Sequence, residues 1–179
     1  SRPEYPELEA RAVELLLDVS SERAAYGDRG AATTGLAWLR SVVDVSRLPR
    51  VVAGRLASAP RELLGVTVAE HLDEIAVLPA NQQGEVVSSL WGAEQMLGEG
   101  KLRSAADDVF RIVASYPDFL PAQSLLGRIL LAQGRREQAA HRSERLVTLY
   151  ELRGRPEGAR EVLEWMAESG LTSGLDTHR

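Results

Sequence analysis

From residue 86 onward the sequence returns to the same residue types every 34 positions. Gly100 is followed by Gly134, Ala105 by Ala139, Ala93 by Gly127 and Gly92 by Leu126. A recurrence of this length marks a supersecondary unit that cannot bury its own apolar face and must stack on its neighbours. Each recurring position has a physical role. Glycine ends a helix where a left-handed backbone is cheap for it alone. The small residues Ala93, Gly127, Ala105 and Ala139 let two helices of a hairpin approach closely. Pro117 cannot continue a helix interior and marks an exit.

The faces agree. Leu102, Ala105, Ala106, Val109, Ile112 and Val113 share one side of one predicted helix, and Ala122, Leu125, Leu126, Ile129 and Leu130 one side of the next. Leu126-Gly127, the turn glycine Gly134 and the small residue Ala139 resemble the tetratricopeptide repeat, with Ala93, Gly100, Ala105 and Pro117 at the corresponding places of the first copy. The usual helix-interior aromatics are replaced by Met96, Val109, Leu130 and Ser143. Gly154 and Ala159 repeat the glycine-to-alanine step, only 20 residues after Gly134. One long helix from about Arg136 to Leu152 must therefore serve two hairpins. The last helix carries Ala159, Val162, Leu163 and Met166, with a short capping helix to close the array.

The resemblance implies an all-α fold of antiparallel helical hairpins, stacked as a short right-handed TPR-like solenoid with additional N-terminal helices. Residues 1–85 are then an N-terminal helical segment, packing on the repeats or itself made of diverged repeats. Residues 86–170 hold the TPR-like repeats with their capping helix, and 171–179 form a disordered tail. Upstream, Leu8, Ala12, Leu15, Leu16 and Val19 predict one buried helix face. Three glycines and an Asp predict a loop between Tyr26 and Gly35. A second helix is expected over about Thr34–Ser46, with Leu36, Leu39, Val43 and Ser46 along its stripe. Pro49 opens a third, which ends near Ser58 before Pro60. Thr67 and Glu70 have the spacing of a capping box for a helix burying Val68, Leu72 and Ile75 and stopping at Leu78. No run alternates in the manner of a strand.

The formal net charge of −5 argues against nucleic acid as a partner. Among the 21 basic residues Lys101 is the only lysine, an Arg-rich usage that suggests a GC-rich bacterial source. Cysteine is absent, which removes disulfides, thiolate nucleophiles and cysteine metal sites. No apolar run approaches the roughly 20 residues of a membrane span, and no signal peptide is visible. The chain begins at Ser1, which suggests a domain trimmed from a larger bacterial protein. Cytoplasmic is the default location.

No catalytic constellation stands out, and the expectation is a protein that is not an enzyme and needs neither cofactor nor metal. His71, in Glu70-His71-Leu72-Asp73-Glu74, is not a zinc signature and reads as part of a solvated helix face. His178 lies in the expected tail. The glycines of Gly27–Gly30 lack the Lys-Ser/Thr and the strand of a phosphate loop. Arg135, Gln138, Arg142 and Arg145 recur along one side of the long helix, with Arg128 on the helix before. An Arg cluster can hold a phosphate or an acidic peptide. Glu137 and Glu144 interleave with it, and the ordinary reading is a solvated face with intrahelical pairs. Trp38, Trp91 and Trp165 read as core. An aromatic exposed beside the groove would be a hot-spot candidate.

By the resemblance, the first helix of each pair lines a concave groove, here through Leu90, Glu94, Leu97, Ser124, Arg128 and Leu131. The same reading leaves Leu90 and Leu131 open to burial under neighbouring helices. The expected function is a protein–protein interaction module that binds a peptide or partner helix, with neither nucleic acid nor membrane as partner and with a homo-oligomer possible. The rival is a ligand-sensing, regulatory helical-repeat domain of a bacterial transcription regulator. A deep apolar pocket with converging polar groups would mark the rival, and an open groove the interaction module.

Overall fold

Glycine placement governs the architecture. In the computed structural model, which describes residues 5–171, Gly27, Gly100, Gly134, Gly154 and Gly170 all have positive φ, between 63° and 85°. Each closes a helix in the same way. The glycine N–H donates to the carbonyl three residues back, and the next N–H to the carbonyl five residues back, as in Gly134 to Leu131 and Arg135 to Leu130 at 2.9 Å each. After the first four of these glycines comes a single residue, and then a new helix begins.

The described residues form ten α-helices and no strand. They divide into two compact units, with the boundary between Trp91 and Gly92. The first contains α1 (Tyr5–Ala25), α2 (Arg29–Val42), a 3-10 turn (Val45–Arg47), α3 (Arg50–Leu64), α4 (Val66–Ala69), α5 (Leu72–Ala76) and the start of α6 (Ala80–Gly98). The second contains the end of α6, then α7 (Leu102–Ser115), α8 (Leu120–Ala132), α9 (Arg136–Leu152) and α10 (Pro156–Glu168).

In the first unit α1 packs on α2 and α3. The loop expected at Tyr26–Gly35 is instead the Gly27 turn and the first two turns of α2. Asp28 caps that helix by accepting a hydrogen bond from the Ala31 N–H at 3.1 Å. α2 ends at Val42, so Leu36 and Leu39 are buried, while Val43 is only half-buried and Ser46 is exposed. The face of α1 that looked buried is the outer one. Ala10, Val13, Leu17, Ser20 and Ala24 face inward, whereas Leu8 and Leu15 are 65% and 60% exposed. Smaller side chains sit inside because the hairpin is tight: a Cβ on Gly35 would lie 3.2 Å from Ser20 Oγ. α2 and α6 come closer still, and a Cβ on Gly30 would fall 2.6 Å from the Gly84 Cα.

α3 runs through Pro60 to Leu64, beyond the end expected at Ser58, and buries that proline. The single helix expected after Thr67 is two short ones, broken at Glu70 and His71. Thr67 is a buried residue within α4, not an N-cap. His71 is buried rather than solvated, and its Nδ1–H donates to the Thr67 carbonyl at 2.8 Å.

In the second unit α8 packs on both α7 and α9, and α9 also packs on α10. α9 thus serves two hairpins, as its length and the shortened glycine spacing predict. Leu120, Leu146, Val147, Leu149, Tyr150 and Ala159 form a core cluster there, with Val162 against it. Leu171 is buried and its N–H closes α10 on the Met166 carbonyl. His178 and the rest of the expected tail, 172–179, lie outside the described residues.

Candidate interaction surface

Helix α8 is apolar nearly all round, and its sequence dictates what it leaves open. Leu120, Ala122, Leu125, Leu126, Ile129 and Leu130 are buried on two sides. Ser124, Arg128 and Leu131, at i, i+4 and i+7, are only half-buried and form one continuous stripe. Gly127 lies next to that stripe, and a Cβ there would meet Ser143 Oγ of α9 at 3.4 Å.

Glu94 and Leu97, in the last two turns of α6, are half-buried as well. Arg128 Nη1 donates to Glu94 Oε1 at 3.2 Å. The two side chains are 34 residues apart, one full period, and the Glu94 side chain is only 11% exposed. A charge-assisted hydrogen bond this shielded is stronger than a surface pair. Leu90, the remaining residue expected to line a groove, is fully buried and presents no surface. The structure therefore brings Glu94 and Arg128 into contact, aligns Arg128 with Ser124 and Leu131, and places Leu90 in the core.

The basic residues of α9 do not form a free cluster. Arg145 donates to Asp118 at 2.8 Å, Arg142 to Gln123 Oε1 at 3.4 Å and Arg135 to Gln133 Oε1 at 3.4 Å. These pairs tie α9 to the segments before it and are not the intrahelical pairs expected from the interleaved glutamates. The neighbouring Arg136 donates to the Ser169 and Gly170 carbonyls at 2.9 and 2.6 Å, so a cation covers the C-terminal end of α10. Gln138 and Arg142, with Phe110, Leu130 and His141, line a cleft of about 400 Å³. No group of His, Asp or Glu among the described residues is placed to hold a metal ion. Likewise, no helix among them is long and apolar enough to cross a membrane.

Two features escaped the sequence reading. Trp38 is 55% exposed rather than core, while Trp91 and Trp165 are half-buried. The Arg29 guanidinium stacks on the Trp91 ring 3.5 Å from its centroid, a cation–π contact no local pattern announces. Known family models, curated proteins and solved structures offer no counterpart to the chain.

Proposed function

We propose that the chain is a non-catalytic protein–protein interaction module, a TPR-like array of helical hairpins that seats a peptide or partner helix. The seat in the second unit is the stripe of Glu94, Leu97, Ser124, Arg128 and Leu131. The observation that carries this reading is the Glu94–Arg128 pair, because a contact one period long is what side-by-side stacking of equivalent helices produces. The identical glycine turns at Gly100 and Gly134 support it further. The stripe mixes two leucines, a hydroxyl and an ion pair, a composition suited to a segment that offers both apolar and polar side chains.

The test places a photoreactive amino acid at Ser124 and, as a control, at the exposed Thr148 of α9. A proteome from the source organism should cross-link through Ser124 and not through Thr148. Glu94→Arg and Arg128→Glu should each abolish the cross-link while the helical circular dichroism is kept. A partner captured equally by both charge-reversed chains would rule out the stripe as the seat.

A further inference from the structure

We propose that the outer face of α1 is covered by a second copy of this chain, in an antiparallel two-helix contact about a twofold axis. The face carries Leu8, Ala12, Leu15, Val19, Glu22 and Tyr26, spaced alternately by four and three residues. That spacing is the seam of a paired helix. The opposite side of the same helix, at Ala10, Val13, Leu17 and Ala24, is already buried within the first unit. A helix that is apolar on both sides belongs between two layers, and the described structure supplies one of them.

The identity of the missing layer follows from the complementarity of the face with itself. When two α1 helices run antiparallel and centre on Leu17, Leu8 faces Tyr26 of the second copy and Leu15 faces its Val19. The pairing is isologous, so each contact occurs twice. Half-buried Glu9 then lies beside exposed Arg23 of the other copy, which also pairs with Asp28 of its own chain at 3.1 Å, so one opposite-charge pair falls toward each end of the seam. Asp18 lies near its own twin at the axis, and its charge is already matched by Arg55 at 2.7 Å. Leu16, which is also exposed, meets Leu16 of the second copy.

Tyr26 gives the pairing a knob and a hole. Its side chain is 89% exposed at the end of α1. At the other end, a cleft of about 730 Å³ between α1 and α3 is lined by Glu7, Leu8, Arg11, Pro49, Val51 and Val52. In this register the phenol ring of each copy reaches the cleft of the other beside Leu8. The seam from Leu8 to Tyr26 is about 27 Å long at 1.5 Å per residue. A single helix pair buries less than the roughly 800 Å² per partner of a standard interface, so the dimer should form in the micromolar range.

Sedimentation velocity on the whole chain, across a micromolar concentration series, tests the proposal. A reversible monomer–dimer equilibrium is expected. Leu15→Glu with Val19→Glu, and separately Tyr26→Ala, should raise the dissociation constant at least about tenfold. These side chains are exposed, so melting of the monomer should be unchanged, and a melting check separates lost association from lost fold. Glu9→Arg alone should weaken the dimer, and adding Arg23→Gln, which removes the like charge facing the introduced guanidinium, should restore part of it. Arg23→Gln by itself controls for the lost intrachain pair with Asp28. A chain that stays monomeric at the highest concentration overturns the proposal. So does a dimer indifferent to Leu15 and Val19, or a double variant that restores none of the lost association.

Discussion

At the scale of single residues, the Gly30–Gly84 crossing is asymmetric. A Cβ on Gly30 would sit 2.6 Å from the Gly84 Cα, a backbone atom that cannot step aside, while a Cβ on Gly84 would stand 3.8 Å from the Gly30 Cα. Gly30→Ala should therefore destabilise the chain by about 1–3 kcal/mol, the usual cost of overpacking. Gly84→Ala should be neutral or slightly stabilising, since it replaces a glycine within α6 at ordinary contact distance. Thermal melting of the two variants checks the sign of each. Asp28 supplies a pH-dependent counterpart. The hydrogen bond from the Ala31 N–H, aided by Arg23, holds its carboxyl below the usual carboxylate range. A carboxyl so depressed contributes stability that is complete above its unfolded pKa and is lost as pH falls through the folded one. The melting temperature of Asp28→Ala should lie below that of the parent at neutral pH, and the gap should begin to narrow as the pH falls past about 3.8 and close only below the lowered pKa of the folded chain. A gap that persists in acid would mean that the carboxylate is not what stabilises the start of α2. Neither residue is conspicuous in the sequence, because three glycines and an aspartate in ten positions satisfy the description of a loop equally well.

At the scale of elements, the four hairpin turns share the glycine and the alanine after it, and the first three also share a small residue before it. A small residue stands seven positions before the glycine at Ser20, Ala93 and Gly127, and a buried alanine stands five positions after it at Ala32, Ala105, Ala139 and Ala159. The later copies are legible in sequence because they depend on backbone geometry that few residues can adopt. The first copy, around Gly27, follows the same template but lies 73 residues before Gly100, outside any regular period. Faces were harder to read than turns. α1 has two apolar stripes, and hydrophobicity alone selects the bulkier, which is the exposed one. Pro60 does not end its helix, because burial within α3 outweighs the missing N–H. The shared template predicts a uniform penalty at its glycines. Gly134→Ala and Gly100→Ala would force an L side chain to φ near 75°, and each should cost about 1–2 kcal/mol. Nothing lies within 4 Å of a Cβ at either position, so the cost is conformational and not steric. Gly134→Asn, which tolerates a left-handed backbone better, should recover part of the loss in urea unfolding.

At the scale of the whole molecule, α6 is one continuous helix although the division between the two units falls between Trp91 and Gly92. One of the three glycines of α6, Gly92, stands at that division. A Cβ on Gly92 would meet nothing within 4 Å, so its absence serves no packing need there. Glycine in a helix interior costs about 0.5–1 kcal/mol relative to alanine, through the greater freedom it holds in the unfolded chain. Gly92→Ala should accordingly stabilise the protein by about that amount. Gly92 precedes Glu94 by two residues, which places it on the opposite side of the helix from the Glu94 and Leu97 stripe. The substitution should therefore raise the urea midpoint and leave cross-linking through Ser124 unchanged. Lost cross-linking with a raised midpoint would show that a partner approaches α6 from the glycine side, so that the seat wraps around the helix. A lowered midpoint would show that α6 does not accept a side chain at this position, against the open space around it.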